Sequence, residues 1–135
     1  MAFDQTLTTQ AKLVALQALA TGTLKMALYT ADADLGAGTL LYSTANEVVG
    51  TGYTAGGNVL ANVTVLASGT TTYLDFDDVV WNPADFTARG ALIYNTSLGN
   101  LAVAVLDFGS DKTTTTTFTV QTPANTADAA LIRFA

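Results

Sequence analysis

Hydrophobic positions along the chain change period once, near residue 22. Before it, Leu13, Leu16, Leu19 and Ala20 recur at three- and four-residue spacing among the helix formers Ala11, Ala15 and Ala18. That spacing predicts a helix with one apolar stripe. Thr8 or Thr9 can cap its start by accepting from a free backbone N–H, and Gly22 suits the left-handed residue that closes a helix. Beyond Gly22 the period is two. Leu24, Met26 and Leu28 alternate with Lys25, Ala27 and Tyr29, which predicts a half-buried strand.

From residue 30 to 57 the alternation lapses. Asp32 to Gly38 is turn material, and Gly50, Gly52, Gly56 and Gly57 punctuate a second irregular stretch. A loop of this length is usually functional or held by a partner. From Asn58 onward the chain reads as short strands. Val59 to Val65 comes first, then Thr71 to Phe76, Val79 to Trp81, and Phe86 to Tyr94. Leu101 to Phe108 is apolar on both faces, as expected of a central strand, with a turn at Gly109-Ser110-Asp111. A Thr-rich strand, Thr113 to Thr122, and a closing strand, Ala129 to Phe134, complete the series. Turns every ~8–12 residues with no intervening helices predict a mainly β protein, an antiparallel β-sandwich or jelly roll with one N-terminal α-helix. The 135 residues are one domain's worth. The expected division is an arm and helix over 1–22 and a sandwich over 23–135, with the long loop region 30–57 inside it.

Composition narrows the chemistry. There is no His and no Cys, which removes a His general base, a thiolate nucleophile, His or Cys metal ligands and disulfides. The net charge is −6, and the five Lys and Arg residues are scattered singly, so neither nucleic acid nor an anionic membrane is an expected partner. No run approaches the ~18 apolar residues of a membrane span, and no secretory leader is visible at the start. The positive mean hydropathy of 0.36 therefore points to a core or an interface.

Four constellations invite a chemical reading. Asp75 and Asp77 would share one face of a strand and could act as acid and base or bind Ca²⁺; the plainer reading is a strand end turning into solvent. Asp32-Ala33-Asp34-Leu35-Gly36 is a weak calcium-loop candidate, but the position of the closing Glu is Ser43, and an acidic turn suffices. Gly50-Thr51-Gly52-Tyr53-Thr54-Ala55-Gly56-Gly57 lacks the GK[ST] end of a phosphate loop. It reads instead as backbone needing positive φ, with Tyr53 as an anchor against the domain or a partner subunit. Trp81, Tyr29, Tyr42, Tyr73 and Tyr94 could form a sugar-stacking platform, although Trp81 beside Val79 and Val80 reads as core. No catalytic, cofactor-binding or metal-binding residue is assigned.

Four segments together are distinctive: residues 47–57 (EVVGTGYTAGG), 74–81 (LDFDDVVW), 88–95 (ARGALIYN) and 102–109 (AVAVLDFG). With the N-terminal helix and Met26 to Asp32, they resemble small virion structural proteins of tailed bacteriophages. The resemblance covers most of the chain. It implies a capsid decoration (cement) protein on the outer surface of the virion, bound to the major capsid protein and bridging neighbouring capsomers, with no enzymatic activity and no cofactor. A tail or head–tail adaptor subunit is the structural alternative. A carbohydrate-binding module for host attachment, or a glycosidase using Asp75 with Asp77 or Asp107, are alternatives of other classes. The class implies no residue set. Few charges and a high apolar content suit self-association, expected as a homotrimer. The expected interface residues are Phe3 and Asp4 of the arm together with Tyr42, Tyr53, Thr54 and Gly56 of the loop.

Overall fold

A computed structural model describes Phe3, residues 5–122 and residues 130–134. Helix α1 (Thr9–Leu19) starts where expected: the Thr8 side chain accepts from the Ala11 N–H at 3.3 Å. It stops at Ala20, and Gly22 takes φ +81° before the chain enters β1 (Leu24–Tyr29). Leu16 is the fully buried residue of its apolar stripe. Beside it lies a residue that periodicity does not place inside, Lys12. Its stem is buried, and its Nζ reaches the Thr70 carbonyl at 2.9 Å.

The remaining strands among the described residues are β2 (Asn58–Val59), β3 (Thr64–Ser68), β4 (Thr71–Asp75), β5 (Val79–Trp81), β6 (Phe86–Asn95), β7 (Leu101–Thr114), β8 (Phe118–Val120) and β9 (Ile132–Phe134). All pairings are antiparallel, and three sheets form in the orders β2-β1-β6-β7, β3-β4-β9 and β5-β8. The molecule is mainly β with one helix near its N-terminus, in a sandwich-like arrangement. The main core lies between the large sheet and the two smaller ones. It joins Leu24, Met26 and Leu28 of β1 and Ala91 and Ile93 of β6 to Leu74, Trp81, Phe118 and Leu16. Trp81, Phe86 and Phe118 meet there edge-on or tilted, with ring centroids 5.2–6.2 Å apart.

Several sequence expectations change in register or place. β1 is not half-buried. Ala27 and Tyr29, on its other face, form a second buried cluster with Leu92 and Tyr94 of β6, and Ala33, Leu35 and Tyr42 pack onto it. The irregular segment 30–57 therefore folds back as a cover over the outer face of the large sheet, which puts both faces of β1 and β6 out of water. Leu101 to Phe108 is not central: β7 is an edge strand, and β6 takes the central place beside it. The double-sided apolar pattern arises because one face of β7 meets the core while the other meets the cover. The expected turn at Gly109 is a bulge inside β7. Between the pairs Ala88↔Lys112 and Gly90↔Asp107 the strand carries four residues against one of β6, so the longer side must bow outward, and Gly109 takes φ +82°. The Thr-rich run is split: β7 ends at Thr114, whose hydroxyl donates to the Thr117 carbonyl at 2.8 Å, and β8 starts at Phe118. The closing strand is shorter than expected, β9 beginning at Ile132, and Ala129 lies outside the described residues.

Candidate functional site

The cover is fastened by the chain's only glutamate. Glu47 pairs with Tyr29 across a β-bridge at the end of β1, where the chain returns from its excursion. Its side chain turns inward and the residue is 7% exposed. Oε1 accepts from the Tyr42 hydroxyl at 2.6 Å; Oε2 accepts from the Tyr53 hydroxyl and from the Gly56 N–H at 2.8 Å. A buried carboxylate needs such donors to replace its water, and three are supplied by one local stretch of chain. The Tyr53 oxygen in turn accepts from the Leu28 N–H at 2.9 Å, which ties the hub to the middle of β1.

A ring stack extends the fastening. Tyr42 lies on Tyr94 of β6, with centroids 4.5 Å apart and planes 13° off parallel, and the Tyr94 hydroxyl donates to the Gly56 carbonyl at 2.7 Å. Tyr29 donates to the Ser43 carbonyl at 2.6 Å. The glycine run allows the close approach this needs. A Cβ on Gly57, which has φ +76°, would stand 1.8 Å from the Met26 carbonyl oxygen. The cover therefore lies directly on β1, and no larger residue fits beneath it.

The electrostatics follow from burial beside a carboxylate. Burial, then Glu47, pushes the Tyr29 phenol up to about 12. The Tyr42 and Tyr53 phenols are pushed up further by the same two causes, burial first and the Glu47 hydrogen bond second. Tyr94 is raised by burial and by the Glu47 charge. Phenols held in the protonated form donate well and attack poorly. The cluster is thus built to fasten chain to chain, the opposite of an activated phenolate.

Three expected interface residues, Tyr42, Tyr53 and Gly56, converge on this hub, so their polar atoms are engaged inside the subunit. Thr54 is exposed at the edge of the same loop, and its carbonyl accepts from the Gly57 N–H at 3.0 Å. Phe3 stands 90% exposed in the arm; Asp4 lies outside the described residues. Glu47 was not among the expected residues. The available signal was a lone Glu next to two valines and six residues before a tyrosine, but nothing local says that it points inward.

The other constellations are not assembled as chemistry would need. β4 ends at Asp75, so Asp75 and Asp77 do not share a strand face. Asp77 accepts from Asn62 Nδ2 at 2.5 Å, Asp78 accepts from the Thr122 N–H at 2.8 Å, and Asp107 pairs with Arg89 at 3.3 Å. Among the described residues no group of three or more acidic side chains is placed to hold a metal ion. Tyr29, Tyr73, Trp81 and Tyr94 are buried and Tyr42 is half-buried, so these rings do not line a sugar platform.

The surface carries a different feature. Leu40 and Leu41 are 76% and 55% exposed, yet their backbone is fixed. The Leu40 carbonyl accepts from the Ala102 N–H at 3.0 Å, Leu41 bridges Leu101, and the Tyr42 N–H donates to the Asn100 carbonyl at 3.0 Å. Two apolar side chains are thus presented to solvent from an ordered edge, with Leu98 also exposed a short way along the same turn into β7. No family model, no curated protein and no solved structure matches this chain.

Proposed function

We propose that this protein is a structural subunit of a tailed-phage virion, a decoration protein that binds the outer shell as a self-associated unit and bridges neighbouring capsomers. The observation that carries the reading is the rigid presentation of Leu40 and Leu41. Exposed leucines on a fixed backbone lose little entropy on docking and gain the full burial of their side chains. The class rests on the four sequence segments, whose resemblance to phage virion proteins supports it. The tyrosine–glutamate hub is consistent with it, since it braces the loop that carries these leucines against the sheet.

The binding surface in this reading is the 40–41 corner of the cover, with the homotrimer and the capsid protein as partners. The test is co-sedimentation of the purified protein with shells of the encoding phage that lack it, alongside the Leu40→Asp/Leu41→Asp variant. Wild-type protein should saturate the shells, and the variant, still folded, should lose at least tenfold in occupancy. Equal occupancy of the two proteins, or a virion map with no copy of this chain on the shell, refutes the proposal. A copy found in the tail instead would establish the adaptor alternative.

A further inference from the structure

Among the described residues no strand pairs with the outer edge of β7 at Val105–Asp107, and the backbone bonds say which of its groups turn that way. Leu28 donates its N–H to Tyr53 and its carbonyl accepts from the Val48 N–H at 2.9 Å, so Leu28 turns both groups away from β6. Ala91, opposite Leu28, must then turn its own groups toward β7, where it faces Leu106. Leu106 therefore bonds to β6, and strand alternation turns the peptide groups of Val105 and Asp107 outward. Among the described residues the only pairing beyond this edge is the bridge at Leu101.

Both faces of the sheet are cleft at that point. On the core side a groove of about 640 Å³ is lined by Leu106, Phe108, Phe118, Val120 and Leu131. On the cover side a smaller cleft of about 220 Å³ runs past Leu35, Arg89 and Val105. An extended segment laid along Val105–Asp107 would find free backbone partners. Its alternate side chains would enter the two clefts.

The chain has such a segment. Ahead of α1, Phe3 and Leu7 are 90% and 58% exposed, outside any helix or strand, while the groove that suits them is empty of them. In an extended arm Phe3, Gln5 and Leu7 share one face. We infer that the N-terminal arm of one copy adds as a strand to the β7 edge of a second copy, placing Phe3 and Leu7 in the groove between β7 and β8. The inference rests on the self-associating reading above and names its contact. Exchange of this kind removes an apolar edge from solvent and buries two exposed apolar residues of the arm, Phe3 and Leu7, in one step.

The absence of cysteine makes the test clean. Thr6→Cys protein labelled with ¹⁵N is mixed with unlabelled Val105→Cys protein and treated with a short bis-maleimide. Mass spectrometry then sorts the joined peptides by isotope. The expected result is a labelled arm peptide joined to an unlabelled β7 peptide, abolished by Phe3→Asp/Leu7→Asp on the labelled chain. That pair of changes should raise the dissociation constant of self-association at least tenfold. Val105→Pro, which removes an outward N–H with no partner strand among the described residues, should do the same while its melting temperature reports that it still folds. An oligomer with no such joined peptide overturns the arm contact and leaves the functional reading standing. So does joining confined to one chain in the Thr6→Cys/Val105→Cys double variant. A chain that stays monomeric at micromolar concentration overturns the arm contact as well, and the shell-binding assay decides the function separately.

Discussion

Glu47 should account for a large part of the stability of the cover. Replacing it with Ala removes three hydrogen bonds to a charged acceptor and strands the Gly56 N–H and the Tyr53 hydroxyl in a buried site. Bonds to charged groups are worth about 1.5–3 kcal/mol each, but the variant also escapes the several kcal/mol needed to bury a carboxylate. Each donor left without a partner in the buried site costs about 1–3 kcal/mol, so the net loss expected is about 3–5 kcal/mol. Glu47→Gln keeps the shape. Its carbonyl can still serve Tyr53 and Gly56, while its amide must donate to Tyr42, whose hydroxyl has to turn. Losing charge assistance but also the charge, it should cost about 1–2 kcal/mol. Urea unfolding followed by Trp81 fluorescence measures both, since this single tryptophan is buried and stacks near Tyr53 at 6.3 Å. The Ala variant should melt about 10–20 °C lower, at roughly 3–5 °C per kcal/mol for a domain of this size. A second readout separates electrostatics from packing. Because the Glu47 charge opposes the phenolates, Glu47→Gln should lower the pH at which Tyr42 and Tyr53 ionise. If both variants melt within about 2 °C of the wild type and the tyrosine titration is unmoved, the hub is not what holds the cover.

Alkaline pH should act on the same cluster. Four phenols are raised in the folded state, so their contribution is fully present below the unfolded value near 10 and is lost as pH climbs toward the folded values. Stability should stay level up to about pH 10 and fall between about pH 10 and 12, with the absorbance of these four tyrosines at 295 nm rising together with unfolding; their early, non-cooperative ionisation would contradict this. Gly57→Ala and Gly69→Ala both place a side chain at positive φ, but only the first drives its Cβ into backbone, at 1.8 Å from the Met26 oxygen, whereas nothing lies within 4 Å at Gly69. Thermal melts should show about 1 kcal/mol lost at Gly69 and more than about 3 kcal/mol at Gly57; equal losses would mean the cover does not lie on β1. Lys12→Met keeps the buried stem and gives up one bond to the Thr70 carbonyl, so it should cost at most about 2 kcal/mol, while Lys12→Ala also leaves a hole and should cost more by calorimetry.

The fold class was legible in the sequence because period and punctuation are local. The Thr8 cap, the stop near Gly22, the two-residue alternation of β1 and the strong run of β6 can each be read from neighbouring residues, and the structure places them there. The positive φ of Gly52, Gly56 and Gly57 was likewise readable as a need, though not its purpose. What the residues could not show is where each strand sits in its sheet. An apolar strand looks the same at the centre as at an edge whose other face is capped by a loop, and β7 is the second kind. Nor does spacing reveal that Lys12 lies flat against the β3–β4 turn, or that Asp75 is the last residue of its strand. The loop shows the division most plainly. Its glycines and missing period announced an irregular excursion. Whether that excursion faced solvent, a partner or its own sheet depended on one carboxylate finding hydroxyls at positions 42 and 53 and an N–H at 56. Local pattern determined which segments are helix, strand and loop. The meeting of groups remote in sequence, or pointing in directions that sequence does not encode, decided which strand is an edge, which tyrosines are inside and which leucines are left in water.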